Sequence, residues 1–199
     1  PYSFTVTDAN GCTEGVSGNI SQPSGLIGNA TYGTINCNGG ATTINISANG
    51  GTAPYSGIGI FTVNAGPFSY TLTDANGCKT SVGGNISQPS ALMASAVNGT
   101  ITCNGGTTTV TVSAIGGTAP YTGTGTFTVN AGPYSFTVTD ANACTASISG
   151  TITQPNTLTA SVIAGTINCN GGTTTINVSA LGGTSPYSGT GTFTVSAGL

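Results

Sequence analysis

The chain has almost no charge. Among 199 residues there are four acidic side chains, one Lys or Arg and no His, and Trp is absent as well. Nucleic acid is excluded as a partner, because no basic cluster is present to neutralise phosphates. Neither a catalytic triad nor a pair of carboxylates can be assembled, so the chain is predicted not to be an enzyme. No run of about 18 apolar residues occurs, and no membrane span is predicted.

What the chain has in abundance is repetition. The phrase "PYSFTVTDANGC" at Pro1 returns as "PFSYTLTDANGC" at Pro67 and "PYSFTVTDANAC" at Pro133, which is a gapless period of 66 residues. This period is longer than the units of roughly 20–45 residues that stack into solenoids. It therefore predicts a row of small domains, each with its own core.

The boundaries of these domains are predicted at the proline linkers "ISQP" and "ITQP", because a proline there ends one patterned run and polar residues precede the next. Cutting after each of these prolines gives four segments. Residues 1–23 are the C-terminal part of a preceding repeat, 24–89 and 90–155 are complete repeats, and 156–199 are the N-terminal part of a following repeat. We interpret the chain as a stretch of a longer array.

The residue pattern within a repeat is that of half-buried antiparallel strands. In the run 134–139, for example, Tyr134, Phe136 and Val138 alternate with serine and threonine, and strict alternation with β-branched residues is typical of such strands. Six or seven short strands per repeat are expected, separated by turns rich in Gly, Pro and Asn. The predicted fold is all-β, as tandem immunoglobulin-like β-sandwich domains.

The "TDANGC" phrase is interpreted as a hairpin turn. Asn76-Gly77 would supply two residues with positive φ, and the preceding aspartate would cap the turn through its carboxylate. The alternative is a Ca²⁺ site at these aspartates. The cap is preferred because Ca²⁺ takes six or more oxygen ligands and each repeat offers one such carboxylate, so no cofactor is expected. The aspartates concerned are Asp8, Asp74 and Asp140.

Each repeat carries two cysteines, which suggests disulfides formed in an oxidising exterior. The preferred pairing lies within a domain, where "CNGG" and "DANGC" are expected as turns at the same end. Its pairs are Cys37–Cys78 and Cys103–Cys144, with Cys12 and Cys169 bonded to partners outside this stretch. The alternative pairing crosses each linker and consists of Cys12–Cys37, Cys78–Cys103 and Cys144–Cys169. Metal binding is disfavoured, since neither a CxxC motif nor a histidine is present.

The blocks "CNGG", "GGTAPY", "TDANGC" and "ISQP" or "ITQP" occur in all or most units in this order. In these blocks the chain resembles the SprB-type repeat of very large surface adhesins of gliding Bacteroidota, which are exported by the type IX secretion system. The resemblance implies an extracellular, cell-surface β-sandwich array that tolerates or uses calcium and contacts polysaccharide or solid surfaces. It implies no catalytic residues.

Two functions from different classes follow. The first is a structural array that forms an extracellular fibre or stalk, whose partners are further copies of the repeat, end to end or side by side. The alternative is an adhesin repeat that binds polysaccharide, with Tyr55, Tyr121 and Tyr187 of the "PY" loops as candidate surface contacts. These tyrosines also fit a purely structural role, in which they close one end of the domain.

Overall fold

A computed structural model describes residues 1–198, and within them it contains β-strands and no helix. The all-β prediction is confirmed. The strands are β1 (Tyr2–Thr7), β2 (Thr13–Gly18), β3 (Ile27–Tyr32), β4 (Ala41–Asn49), β5 (Gly59–Asn64), β6 (Gly66–Thr73), β7 (Lys79–Ile86), β8 (Met93–Asn98), β9 (Thr107–Ile115), β10 (Gly125–Asn130), β11 (Gly132–Thr139), β12 (Thr145–Ile152), β13 (Thr159–Ala164), β14 (Thr173–Leu181) and β15 (Gly191–Ser196). Nothing in this described part is a long apolar helix of the kind that spans a membrane.

These strands form small antiparallel sheets that recur with the repeat. Each complete repeat has one three-stranded sheet, β3-β4-β5 or β8-β9-β10, and one two-stranded sheet, β6-β7 or β11-β12. The first residues of the chain contribute the pair β1-β2, and the last ones contribute the sheet β13-β14-β15. By contacts the chain divides into two compact units, Pro1–Gln88 and Pro89–Leu199, and each unit contains the five strands of one complete repeat.

In the first unit, the three-stranded and the two-stranded sheet share one core. Ile44 and Ile46 of β4 and Leu72 of β6 are fully buried against each other. Phe61 of β5 and Tyr70 of β6 stack with ring centroids 4.8 Å apart. The inward positions alternate along each strand because successive side chains point to opposite faces of a sheet.

The second unit repeats this core with smaller side chains. Val110, Val112 and Val138 occupy the positions 66 residues after the three buried residues of the first core. Phe127 and Phe136 stack with centroids 4.5 Å apart. Each repeat therefore has a core drawn from both of its sheets.

Five strands form in each complete repeat, so the expectation of six or seven is wrong. The "PY" segment contributes no further strand and makes only one isolated bridge, Ser56 with Thr73 in the first repeat and Thr122 with Thr139 in the second. Gly57 follows the first bridge with φ of 81°. A left-handed residue breaks the extended geometry that a longer ladder needs, so the pairing stops after one bridge.

Candidate functional site

Asp74 fastens the "TDANGC" hairpin to the loop that follows β4. Its Oδ1 accepts hydrogen bonds from the backbone N–H groups of Asn76 (3.0 Å) and Cys78 (2.8 Å). Its Oδ2 accepts from the N–H of Thr52 at 2.9 Å. The neighbouring Gly51 has φ of 60°, and a Cβ there would lie 2.7 Å from Oδ2, so the close approach requires glycine.

The second complete repeat has the same arrangement around Asp140. Its carboxylate accepts from the N–H groups of Asn142, Cys144 and Thr118, each at 2.9 Å. Asp74 and Asp140 are the buried polar side chains of their repeats. Asp8, in the incomplete repeat at the start, is exposed and accepts from the N–H groups of its own hairpin.

Hydrogen bonding favours the ionised form of both buried carboxylates. For Asp74 the N–H of Thr52 is the largest cause, burial opposes it, and the pKa lies below the usual value of 3.8. For Asp140 burial is the largest single effect and raises the pKa, but the three N–H groups together outweigh it and the pKa is again lowered. The arrangement supports the cap interpretation, because the oxygens are already occupied by backbone donors.

Among residues 1–198, no group of three or more His, Cys, Asp or Glu side chains lies close enough together to hold a metal ion. Ca²⁺ binding at these aspartates stays a prediction.

The hairpin itself differs from the predicted pair of left-handed residues. Within the hairpin of the first complete repeat, only Gly77 has positive φ, at 82°, and its N–H donates to the Asp74 carbonyl at 3.0 Å. This is a turn closed by one left-handed residue, as in hairpins with a three-residue loop. In the second repeat Ala143 takes that place with φ of 64°. The turn geometry is kept there although alanine disfavours it.

The tyrosines of the "PY" loops use their hydroxyl groups within their own repeat. Tyr55 Oη donates to the Gly50 carbonyl at 2.7 Å, and Tyr121 Oη donates to the Gly116 carbonyl at 2.6 Å. Both side chains are half-buried. Tyr187 donates to the equivalent Gly182 carbonyl in the incomplete last repeat, where it is more exposed. These contacts support the structural role, and a role in surface contact stays a prediction.

The cysteines follow neither of the pairings expected from the sequence. Cys37 and Cys144 are disulfide-bonded, and the remaining four are free and exposed thiols, namely Cys12, Cys78, Cys103 and Cys169. Neither Cys37–Cys78 nor Cys103–Cys144 is therefore present, and none of the pairs across a linker is present either.

The reason is that the two cysteines of one repeat lie at opposite ends of it. In the second repeat, Cys103 precedes β9 in the "CNGG" loop, while the Cys144 hairpin lies against Thr118, which follows β9. A strand of nine residues spans about 27 Å, whereas bonded cysteines have Cα atoms less than about 7 Å apart. The expectation that "CNGG" and "DANGC" lie at the same end is wrong.

The "CNGG" loop is held by a glutamine of the linker, a contact that the sequence analysis missed. Gly39 N–H donates to Gln88 Oε1 at 2.7 Å, and Gly105 N–H donates to Gln154 Oε1 at 2.8 Å. The signal for it in the sequence is that a Gln-Pro pair follows each of the first two "CNGG" phrases at the same distance. The loop therefore lies at the end of the repeat that continues into the next one.

No family model matches this chain, and no curated protein matches it.

Proposed function

We propose that the chain is a non-enzymatic array of immunoglobulin-like β-sandwich repeats of the SprB type, which forms an extracellular fibre or stalk of a cell-surface protein. Its partners are further copies of the repeat, placed end to end or side by side. The fold assignment is supported by the two packed sheets in each complete repeat and by their shared core. A weakly charged surface of this kind repels neighbouring copies little.

The observation that carries the proposal is a hydrogen-bonded junction between successive repeats in the second unit. Asn104, next to Cys103 in the "CNGG" loop, donates through Nδ2 to the Pro155 carbonyl at 2.9 Å. Its Oδ1 accepts from Thr157 Oγ1 of the following repeat at 3.1 Å. A linker fastened in this way on both sides suits a load-bearing array, because the repeats are not joined by a free tether.

Single-molecule force spectroscopy of the whole chain in a reducing buffer tests the stalk. Each complete repeat should unfold as one event, and the contour length should increase each time by roughly 200 Å, since about 66 residues at up to 3.3–3.6 Å each are released from a compact domain. A smooth extension without discrete events would contradict a row of independent domains.

The adhesin remains the second candidate, and one observation favours it. A groove of about 480 Å³ in the second unit is lined by neutral hydroxyl and amide side chains, among them Asn98, Thr100, Thr153 and Gln154. Groups of this kind form hydrogen bonds with sugar hydroxyls. A glycan array probed with the whole chain tests this function: retention of a polysaccharide that is lost in Asn98→Ala would favour the adhesin, and no retention would reject it.

A further inference from the structure

An asparagine that precedes a glycine can react with its own backbone, because a glycine without Cβ leaves the next nitrogen open to approach. The glycine nitrogen attacks Cγ of the asparagine, and the ring that forms then takes up water. Residues 1–155 contain six Asn-Gly pairs, and the fold decides in which of them the two reacting groups can meet. Their asparagines are Asn10, Asn38, Asn49, Asn76, Asn98 and Asn104.

In five of these six pairs, the glycine N–H is bound to another residue. Two of the glycines donate to the side chain of a linker glutamine, Gly39 to Gln88 at 2.7 Å and Gly105 to Gln154 at 2.8 Å. At each of the five pairs, a hydrogen bond to another residue must break before the nitrogen can attack. The other three glycines donate to backbone carbonyls at 2.8–3.0 Å, namely Gly11 to Asp8, Gly77 to Asp74, and Gly99 to Thr109.

The side-chain amide is also bound elsewhere at Asn76 and Asn104. Asn76 Nδ2 donates to Thr52 Oγ1 at 2.9 Å. Asn104 Nδ2 donates to the Pro155 carbonyl, also at 2.9 Å. At these two pairs, both the attacking nitrogen and the amide group that it would attack are therefore held in other contacts.

The pair Asn49-Gly50 differs in both respects. The Gly50 N–H donates at 2.8 Å to Oδ1 of Asn49 itself, so the Cγ bonded to this oxygen lies next to the attacking nitrogen. When this local hydrogen bond opens, the two reacting groups remain neighbours, and groups that are already in place react faster than groups that must first meet. Asn49 is the last residue of β4 and is exposed, so water and hydroxide reach it.

We propose that Asn49 is a deamidation site of the folded chain. Gly50 N loses its proton and bonds to Asn49 Cγ, while the Cγ–Nδ2 bond breaks and Nδ2 leaves with a proton as ammonia. One water molecule then opens the succinimide ring at either of its carbonyls, which yields aspartate or isoaspartate. No oxidant or reductant is needed, and the reaction does not depend on the proposed stalk.

The site is specific to the first repeat. Ile115 and Leu181 lie 66 and 132 positions after Asn49, and each is also followed by a glycine. Neither side chain has an amide that could react. The equivalent corners of the other repeats therefore serve as internal controls.

Isoaspartate at position 49 should disturb the corner that follows β4. Tyr55 Oη donates to the Gly50 carbonyl at 2.7 Å, and the Gly51 N–H donates to the Ser24 carbonyl at 2.8 Å. The modification inserts one more main-chain carbon directly before these contacts and adds a negative charge. Hydrogen exchange of peptides that cover 50–55 should become faster after conversion, because both hydrogen bonds lose their alignment.

Incubation of the whole chain at pH 8 in water labelled with heavy oxygen, followed by peptic mapping at acid pH, tests the site. Each conversion incorporates a labelled oxygen, and peptides with aspartate and isoaspartate separate by chromatography. We expect Asn49 to convert about tenfold faster than Asn76, since hydrogen bonds to other residues must first open at Asn76. Equal rates at these two asparagines in the folded chain would overturn the proposal.

The same incubation in urea separates the effect of the fold from that of the sequence. In the unfolded chain, all six pairs should convert at similar rates. If Asn49 kept its lead there, the lead would come from neighbouring residues along the chain, and the proposal would be wrong.

Two variants test the protection and the consequence. Gln88→Ala removes the acceptor of the Gly39 N–H and should raise the conversion of Asn38 without changing that of Asn49. An unchanged rate at Asn38 would show that these hydrogen bonds do not select the site. Asn49→Ile, which copies the second repeat, is the matched control, and its hydrogen exchange over 50–55 should stay the same after incubation. Faster exchange in this variant would mean that the change at the corner does not arise from Asn49.

Discussion

The two complete repeats, 24–89 and 90–155, use the same polar contacts around different cores. The hydrogen bonds of Asp74 and Asp140 go to equivalent backbone groups at nearly equal distances. At three equivalent buried positions of the core, the first repeat has two isoleucines and a leucine, and the second has three valines. A hydrogen-bonded turn depends on particular donors and acceptors, whereas a core tolerates substitutions that keep it apolar and filled. The turn therefore tolerates fewer substitutions than the core of the repeat.

A second difference lies at the edge of the core. In the first repeat, the rings of Tyr32 and Phe68 meet edge to face, with centroids 5.6 Å apart. In the second, Asn98 and Tyr134 occupy these positions, and Tyr134 Oη donates to Asn98 Oδ1 at 2.8 Å. An aromatic contact in one repeat thus corresponds to a hydrogen bond in the other, and both partners differ together. The two sheets are joined at this edge by either kind of contact.

The largest expected effect is a loss of stability that differs between the two cores. Leu72→Ala should lower the free energy of unfolding of the first repeat by about 3 kcal/mol, because a fully buried leucine is removed and a cavity remains. Val138→Ala, its matched change in the second repeat, should cost about 2 kcal/mol, since valine has one methylene less. Hydrogen exchange of peptic peptides reports the stability of each repeat separately. Equal losses in both repeats would contradict a difference in core size.

The buried aspartates should make both repeats sensitive to acid in the same way. Each carboxyl has a lowered pKa in the folded chain, so its contribution to stability is present above the usual value of 3.8 and is lost as the pH falls below it. Asp74→Asn and Asp140→Asn should each destabilise their repeat at pH 7 and weaken this acid dependence.

Urea unfolding followed by tyrosine fluorescence between pH 7 and pH 2 measures this effect. Glu14→Gln serves as the control, because Glu14 is an exposed acidic side chain of β2, and it should leave the profile unchanged. If only one of the two asparagine variants altered the profile, the two hairpins would not be equivalent.

The sequence was sufficient to predict strands and turns, but not which loops and turns lie at the same end of a repeat. The alternation around Phe136 and Val138 correctly predicted β11, because period 2 directly reflects which residues face the core. The capping role of Asp74 was also visible in the local pattern. The position of Cys103 relative to Cys144 was not visible in the local pattern, because it depends on the direction of β9 and on where each loop packs. Spacing along the chain carries no such information.

A smaller effect on stability is expected when the residues at the left-handed turn position of the two repeats are exchanged. Ala143→Gly should stabilise the second repeat by about 1 kcal/mol, since glycine adopts positive φ without the Cβ clash of alanine. Gly77→Ala, the reverse change in the first repeat, should destabilise it by a similar amount. Urea unfolding of the three proteins measures both. A loss of stability in Ala143→Gly would mean that the alanine methyl group makes a contact that outweighs its backbone strain.

The smallest effect concerns the edge where the two repeats differ in chemistry. Tyr134→Phe removes the hydrogen bond to Asn98 and keeps the ring, so the second repeat should lose roughly 0.5–1 kcal/mol. The pair Tyr134→Phe with Asn98→Tyr recreates the aromatic contact of the first repeat and should recover most of that loss, as edge-to-face rings contribute a similar amount. A double-mutant cycle of unfolding free energies measures the coupling. Purely additive losses would show that the residues at this edge act independently, and the exchange of ring contact for hydrogen bond would then have no energetic basis.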